Sequence, residues 1–287
     1  SYRVLNIPDL TVDGSFTLGA AVAVVMTLSG HPILGLFAAI LAGAAAGFLT
    51  AFLQTKMKIQ PILAGIITMT ALYSINLMVM DDKANVPITQ QESIYTAFGS
   101  LVGKQAQGMV LSLLVLILAG AAMVLFLKTP FGLSVRATGD NESMVRSSSI
   151  NADLTKTAGL MGANACVALS GAMIAHYNCY AEVRMGIGMV VIGLASFIIG
   201  EIAVGIFVKR KGVLSGVIAA AVGSILYRLI IAQALELNFS SSSLKLITAI
   251  IVALAMSYPA ICDSIALLRK KSQAKSGKEK MGGNLSC

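Results

Sequence analysis

Charge is scarce in this sequence. Only 12% of its 287 residues are Asp, Glu, Lys or Arg, 56% are hydrophobic, and mean hydropathy is +0.83. A soluble domain carries about 25% charge, so that class is excluded. Motifs for chemistry are missing as well. There is no GxxxxGK[ST], so the chain has no P-loop with which to cradle ATP phosphates, and no HExxH or GxSxG occurs. Cys166, Cys179, Cys262 and Cys287 have no CxxC spacing and no neighbouring histidine pair, which leaves a metal centre or a disulfide framework unsupported. Cys166 and Cys262 read as small hydrophobes in or beside apolar runs.

What the chain does have is a succession of apolar runs. At 1.5 Å per residue, about 20 residues cross a hydrocarbon core of about 30 Å. Eight helical segments are expected: 15–29, 33–54, 59–80, 108–127, 154–176, 186–208, 213–234 and 244–268. The fold class is therefore all-α, a polytopic transmembrane bundle over residues 1–268 with a basic tail over 269–287. The first run is short enough for a half-helix, and the last contains Pro259, which can end or kink it. The chain opens SYRVLNIPDL, without Met or a signal-peptide pattern, and at least one further helix is expected upstream.

The net charge of +8 does not point to nucleic acid. Basic residues gather at Lys56 and Lys58, between Lys128 and Lys156, at Lys209–Lys211 and in the tail, the pattern of cytoplasmic loops that meet anionic headgroups. The intervening segments 81–107, 178–185 and 235–243 are poorer in Lys and Arg and fall outside. The C-terminus falls inside. Gly43 and Gly47 form a GxxxG face, and Gly186, Gly188 and Gly193 punctuate a later run; such residues let backbones approach, within one subunit or between copies.

The longest polar interruption between apolar runs on the cytoplasmic side is 129–156. Thr129-Pro130-Phe131-Gly132 stops the preceding helix. Asp140, Asn141 and Glu142 suit an N-cap and an acidic first turn, which predicts two turns of surface helix over about 141–149, and Asn151 can cap the next membrane helix. Pattern alone fits an interfacial helix on lipid or a docking element. Near the start, Asp9 and Asp13 flank an apolar run where carboxylates are costly; with Thr11, Gly14 and Ser15 they can open a half-helix that lines a pathway and orients a zwitterion, or they simply cap it. Thr68, Thr70, Ser74, Asn76, Asn164, Glu201 and Arg228 are further polar positions in apolar runs. Thr68 and Asn76 share a face, and interhelical hydrogen bonding is their plainer role. His31 and His176 read as interfacial.

TPFGLSVRATGDN, followed by SIN and by ALSGAMIA, resembles the permease subunits of bacterial ABC importers, in the branch that includes branched-chain amino-acid and ribose permeases. DLTVDGSFTLGA, IQPILAGIITM and GIGMVVIGLASFIIGE extend the resemblance over nearly the whole chain, and DLTVDGS is similar to a subgroup for amino-acid uptake, some of it aromatic. The resemblance implies that 129–156 carries a coupling helix that docks in a cytoplasmic ATPase, through Gly139, Asp140, Asn141, Glu142, Met144, Val145, Arg146 and Ile150. It implies a pathway lined by Asp9, Thr11, Asp13, Ser15, Thr68, Asn76 and Asn164. It also implies a second permease copy, two ABC ATPases that hold ATP and magnesium, and an extracytoplasmic solute-binding protein. The chain itself would have no cofactor, and its place would be the bacterial plasma membrane. An ion-coupled secondary transporter working alone is the competing reading.

Overall fold

The computed structural model describes residues 2–88, 93–95, 107–207 and 212–236, with positions 249, 250, 253 and 257. The expected segment 244–268, with Pro259 and Cys262, and the tail 269–287 lie outside this described set, apart from those few positions. Two compact units are present, Ser1–Val190 and Val191–Cys287.

In the first unit the helices are α1 (Tyr2–Leu5), α2 (Thr11–Leu28), α3 (Pro32–Thr55), α4 (Pro61–Val79), α5 (Gln107–Lys128), α6 (Pro130–Asp140), α7 (Glu142–Ser147) and α8 (Ala152–Asn178). Three begin with Pro32, Pro61 and Pro130 in the first turn, where the missing N–H costs nothing and φ is already helical. Between α1 and α2, Pro8 breaks the chain, since it cannot donate and disfavours helix in the residue before it. Asn6 turns there at φ 53°.

The centre of the unit is α2. Ala20, Ala21, Ala23 and Val24 are wholly buried, and the helix is enclosed by α3, α8 and α4. Helices come close because glycines remove side chains at the crossings. Gly43 and Gly47 of α3 lie against the backbone of α8 between Leu160 and Ala168, Gly19 of α2 against Ala168, and Gly171 of α8 against the Phe16 carbonyl. The GxxxG face is thus used inside one chain. By contrast α5 is apolar and largely uncovered, a surface suited to lipid.

Two segments read from sequence as loops pair instead as short antiparallel strands, β1 (Asn85–Pro87) and β2 (Tyr180–Glu182), with Val86 opposite Ala181. Their inner side chains pack on Ala20, Ala21, Val24, Met80 and Ala175, which caps the end of the bundle opposite α6 and α7. The helix expected from Gly186 starts later. Residues 183–188 are turns, Gly188 has φ +89°, and α9 runs Met189–Phe207. Gly186 and Gly188 therefore shape a turn rather than a helix crossing.

The second unit holds the remainder of α9 and α10 (Val213–Glu236). Gly200 lies against the Ala219 carbonyl and Gly223 against the Ser196 carbonyl, while Ala195 and Tyr227 form the buried contact beside them. Six described helices are long and apolar enough to span a membrane, and α9 is a shorter apolar one. The protein is a multi-pass, mostly helical membrane protein.

Candidate functional site

At one end of the bundle the polar stretch 129–156 is folded throughout. Thr129 caps α6, accepting from the Gly132 N–H at 3.1 Å, so the stretch expected to stop one helix also starts an eleven-residue one that sequence reading missed. Asp140 is its last residue. Gly139 lies inside α6, against the Val4 and Leu5 backbone of α1, where a Cβ would have no room. Asn141 caps α7 by accepting from the Met144 N–H at 3.1 Å, and Asn151 caps α8 through the Asp153 and Leu154 N–H groups. The two turns expected over 141–149 are observed as the six residues of α7.

Ion pairs fasten α7 to the base of α8. Arg146 bonds Glu142 at 2.9 Å and Asp153 at 2.6 Å, and Lys156 bonds the other Glu142 oxygen at 2.6 Å. The Lys156 hydrogen bond, assisted by Arg146, holds the Glu142 carboxyl below its ordinary value against the opposing effect of burial. Glu142 and Asp153 in turn raise the Arg146 guanidinium. Below this, Thr138 of α6 meets Thr155 of α8 at 2.8 Å, both buried. Val145 is 1% exposed and anchors α7 inward, so among the residues expected to face a partner Val145 and Gly139 face the protein's own core. Met144, Ile150 and Leu154 remain exposed on the outside of this fixed element. The arrangement is an apolar knob on a charge-stapled base.

Halfway along the 27-residue α8, Asn164 is fully buried and makes three hydrogen bonds. Its Nδ2 donates to Asp9 Oδ2 at 2.8 Å and to the Leu160 carbonyl at 3.0 Å, and its Oδ1 accepts from Ser15 Oγ at 2.7 Å. Asp9, 5% exposed, accepts from the Thr11 N–H through Oδ1 at 3.0 Å. Thr11 Oγ1 shares a 2.7 Å hydrogen bond with Thr50 Oγ1 of α3. Four of the seven expected pathway residues, Asp9, Thr11, Ser15 and Asn164, thus meet in one sealed polar cluster where the start of α2 crosses the middle of α8. The first amide of α2 is taken by Asp9 rather than aimed at an opening, and Gly14 and Ser15 lie within the helix, which corrects the half-helix opening expected there. Sequence reading missed Thr50; a lone Thr in an apolar run carries no signal until its partner helix is placed.

The other three expected residues are elsewhere. Asp13 receives the Gly188 and Val190 N–H groups, each at 2.9 Å, while Thr17 one turn on receives the Gly186 N–H at 3.1 Å. This pair fixes the turn 186–188 to α2 and places a carboxylate at the first turn of α9, where the helix dipole favours it. Thr68 is buried and donates to its own helix at Ala64. Asn76, 1% exposed, reaches the Gly14 carbonyl at 3.3 Å. His176, expected at an interface, is wholly buried, with Nε2 3.4 Å from Thr27 Oγ1. Among the described residues no three His, Cys, Asp or Glu side chains gather as a metal site would require.

A profile described as "Branched-chain amino acid transport system / permease component" matches residues 1–209. The chain is 38% identical over 253 residues to a protein of Clostridioides difficile (strain R20291) named "Tyrosine transport system permease protein", covering 88% of this chain and 82% of that one. It is 29% identical over 257 residues to an uncharacterized protein of Rickettsia prowazekii (strain Madrid E), covering 90% and 89%. No solved structure matches.

Proposed function

Since the chain belongs to the branched-chain amino acid transport permease family, we propose that it carries amino acids inward as the membrane component of an ATP-driven importer. It is a permease component of an amino-acid transport system, not a catalytic subunit. The family implies an ABC transporter complex with ATPase partners, and those partners would bind and hydrolyse ATP with magnesium. Aromatic amino acids are the proposed substrates, because the relative from Clostridioides difficile bears the name of a tyrosine permease.

One observation carries this reading: Met144 of α7, Ile150 of the linker and Leu154 at the start of α8 lie exposed together on a base locked by the Glu142–Arg146–Asp153–Lys156 ion pairs. Methionine is an adaptable apolar contact, and a rigid base lets a push from outside act on α8 rather than dissipate locally. That end faces the cytoplasm in this proposal, in accord with its basic residues, and the strand-capped end faces an external solute-binding protein. Two copies of the chain would form a closed two-fold pair, the commonest symmetry.

The test is Met144→Asp in the reconstituted importer. Burying a carboxylate in an apolar groove without a partner weakens docking by roughly tenfold or more. Transport-coupled ATP hydrolysis should fall accordingly while the thermal stability of the permease is unchanged. Undiminished coupling would remove α7 as the docking element. A buried carboxylate, as Asp9 is, is also what an ion-coupled transporter working alone would need; uptake by energised vesicles without ATP selects that reading instead.

A further inference from the structure

The break at Asn6–Leu10 joins two differently anchored pieces of chain. On one side, α1 sits on the docking end: Val4 and Leu5 pack on Gly139, and Leu5 and Ile7 share a buried cluster with Val135 of α6, Ala51 of α3 and Leu160 of α8. On the other side, α2 is the buried centre of the bundle. The backbone between them is not helical, turns at Asn6 with φ 53°, and contains Pro8. One side chain in this break ties the start of α2 to the middle of α8. Asp9 receives the Thr11 N–H that opens α2 and the Asn164 Nδ2 of α8.

Helix α8 links the same two regions along its own length. Its base holds α7 through Asp153 and Lys156 and α6 through Thr155. Asn164 stands eight residues above Lys156, about 12 Å along the axis. A displacement of α6 and α7 therefore reaches the break by two routes: directly through α1, and through α8 to Asn164. Both routes end in the break that holds Asp9.

We infer that Asp9 and Asn164 form a hinge clamp: the Asp9–Asn164 bond is the positioning contact that converts movement of the docking end into reorientation of the start of α2 against the middle of α8. Neither residue touches the docking face, and both are sealed from solvent. The chemistry of the bond makes the assignment specific. The carboxylate supplies only acceptors, so Asn164 must present its amide NH2 to Asp9 and its oxygen to Ser15. A leucine at 164, close to asparagine in size, has no N–H to donate and cannot bridge. Exchanging the two side chains restores donor opposite acceptor. The inference rests on the ATPase-driven reading above.

The experiment is hydrogen–deuterium exchange over the peptide spanning Asn6–Leu10, on the complete transporter, without nucleotide and trapped with ATP and vanadate. In the native complex trapping should change exchange there by about threefold or more, the size expected when a local opening equilibrium is shifted. Asn164→Leu should abolish that change while the ATPase still co-purifies. The exchanged pair Asp9→Asn with Asn164→Asp should regain it. If Asn164→Leu yields no folded complex, Asp9→Ala, which deletes the bridge from the other side, is read in its place. The inference is overturned if trapping leaves this peptide unchanged in the native complex. It is equally overturned if the single variant keeps the response, or if the exchanged pair is as heat-stable as the native protein yet stays unresponsive. Failure of any ATPase to co-purify with the native chain is a different result: it removes the functional reading, and the clamp with it.

Discussion

Replacing Gly43 and Gly47 together by alanine should destabilise the protein through overpacking alone. A Cβ on Gly47 would stand 2.5 Å from the Leu160 carbonyl oxygen and 2.9 Å from Met161 Cα, and one on Gly43 would stand 2.5 Å from the Asn164 carbonyl oxygen. Ordinary contact begins at 3.4 Å, so α3 and α8 must separate by roughly 0.9 Å along two turns of their crossing. The atoms in the way are backbone and, at Gly43, the Ala168 Cβ, and none of them can rotate aside. Overpacking of this kind costs about 1–3 kcal/mol per site, against a helix-propensity gain of at most about 1 kcal/mol per glycine replaced. The net effect is a loss of up to about 4 kcal/mol for the pair. Gly162 is the internal control: it also lies in α8, but nothing lies within 4 Å of its missing Cβ. Thermal unfolding in one detergent, followed by tryptic susceptibility, should therefore rank Gly162→Ala at or above the native protein and the double variant well below it. Equal stability of the two variants would refute the claim that the α3–α8 crossing is held at backbone contact.

Three other outcomes follow from the geometry. Folding lowers the Glu142 pKa, so its contribution is complete above the ordinary glutamate value of 4.5 and is lost as pH falls through the lower folded value. Backbone exchange in α7 should thus rise only in acid below that range, and Glu142→Gln should raise it at neutral pH and flatten the dependence; a profile unaltered by Glu142→Gln would contradict this. Asp13→Ala removes the acceptor of the Gly188 and Val190 N–H groups. Hydrogen bonds to a charged group contribute about 1.5–3 kcal/mol, so exchange over 186–190 should quicken by about tenfold or more, and an unchanged rate would show that Asp13 does not hold this turn. Thr11→Val alone leaves Thr50 Oγ1 without its 2.7 Å interhelical partner and should cost about 1 kcal/mol of thermal stability, whereas Thr11→Val with Thr50→Val should recover part of it; additive losses would argue against a coupled pair.

Several elements were legible in the chain because their causes are local. Runs of apolar residues long enough to cross a membrane are a matter of composition, and seven of the eight expected segments correspond to described helices. Asn141 and Asn151 cap helices through their own neighbours. The face shared by Thr68 and Asn76 is likewise a matter of helical period, and both are buried. What was illegible involves partners far apart in sequence. Nothing near residue 130 announces that Pro130 begins a helix seated on α1, or that Gly139 is the contact which permits it. His176 looked interfacial because the neighbouring sequence ends a helix; burial against Thr27 is decided 149 residues away. Strands of three residues, β1 and β2, are too short for alternation to reveal, and exist because Val86 and Ala181 find the same apolar floor.

The sequence by itself determined that this protein lives in a membrane, that it is helical, and that it belongs with transport permeases. Hydrophobic length and local capping act within a few residues, and motif spelling is read directly. Only the tertiary structure decided which polar groups meet. It gave Asp9 to Asn164 and Ser15 to the same amide, Asp13 to the amides before α9, and Glu142 to Lys156. In a low-dielectric interior each buried donor and acceptor must find its complement, and which complement is at hand depends on how the glycine-lined helices pack.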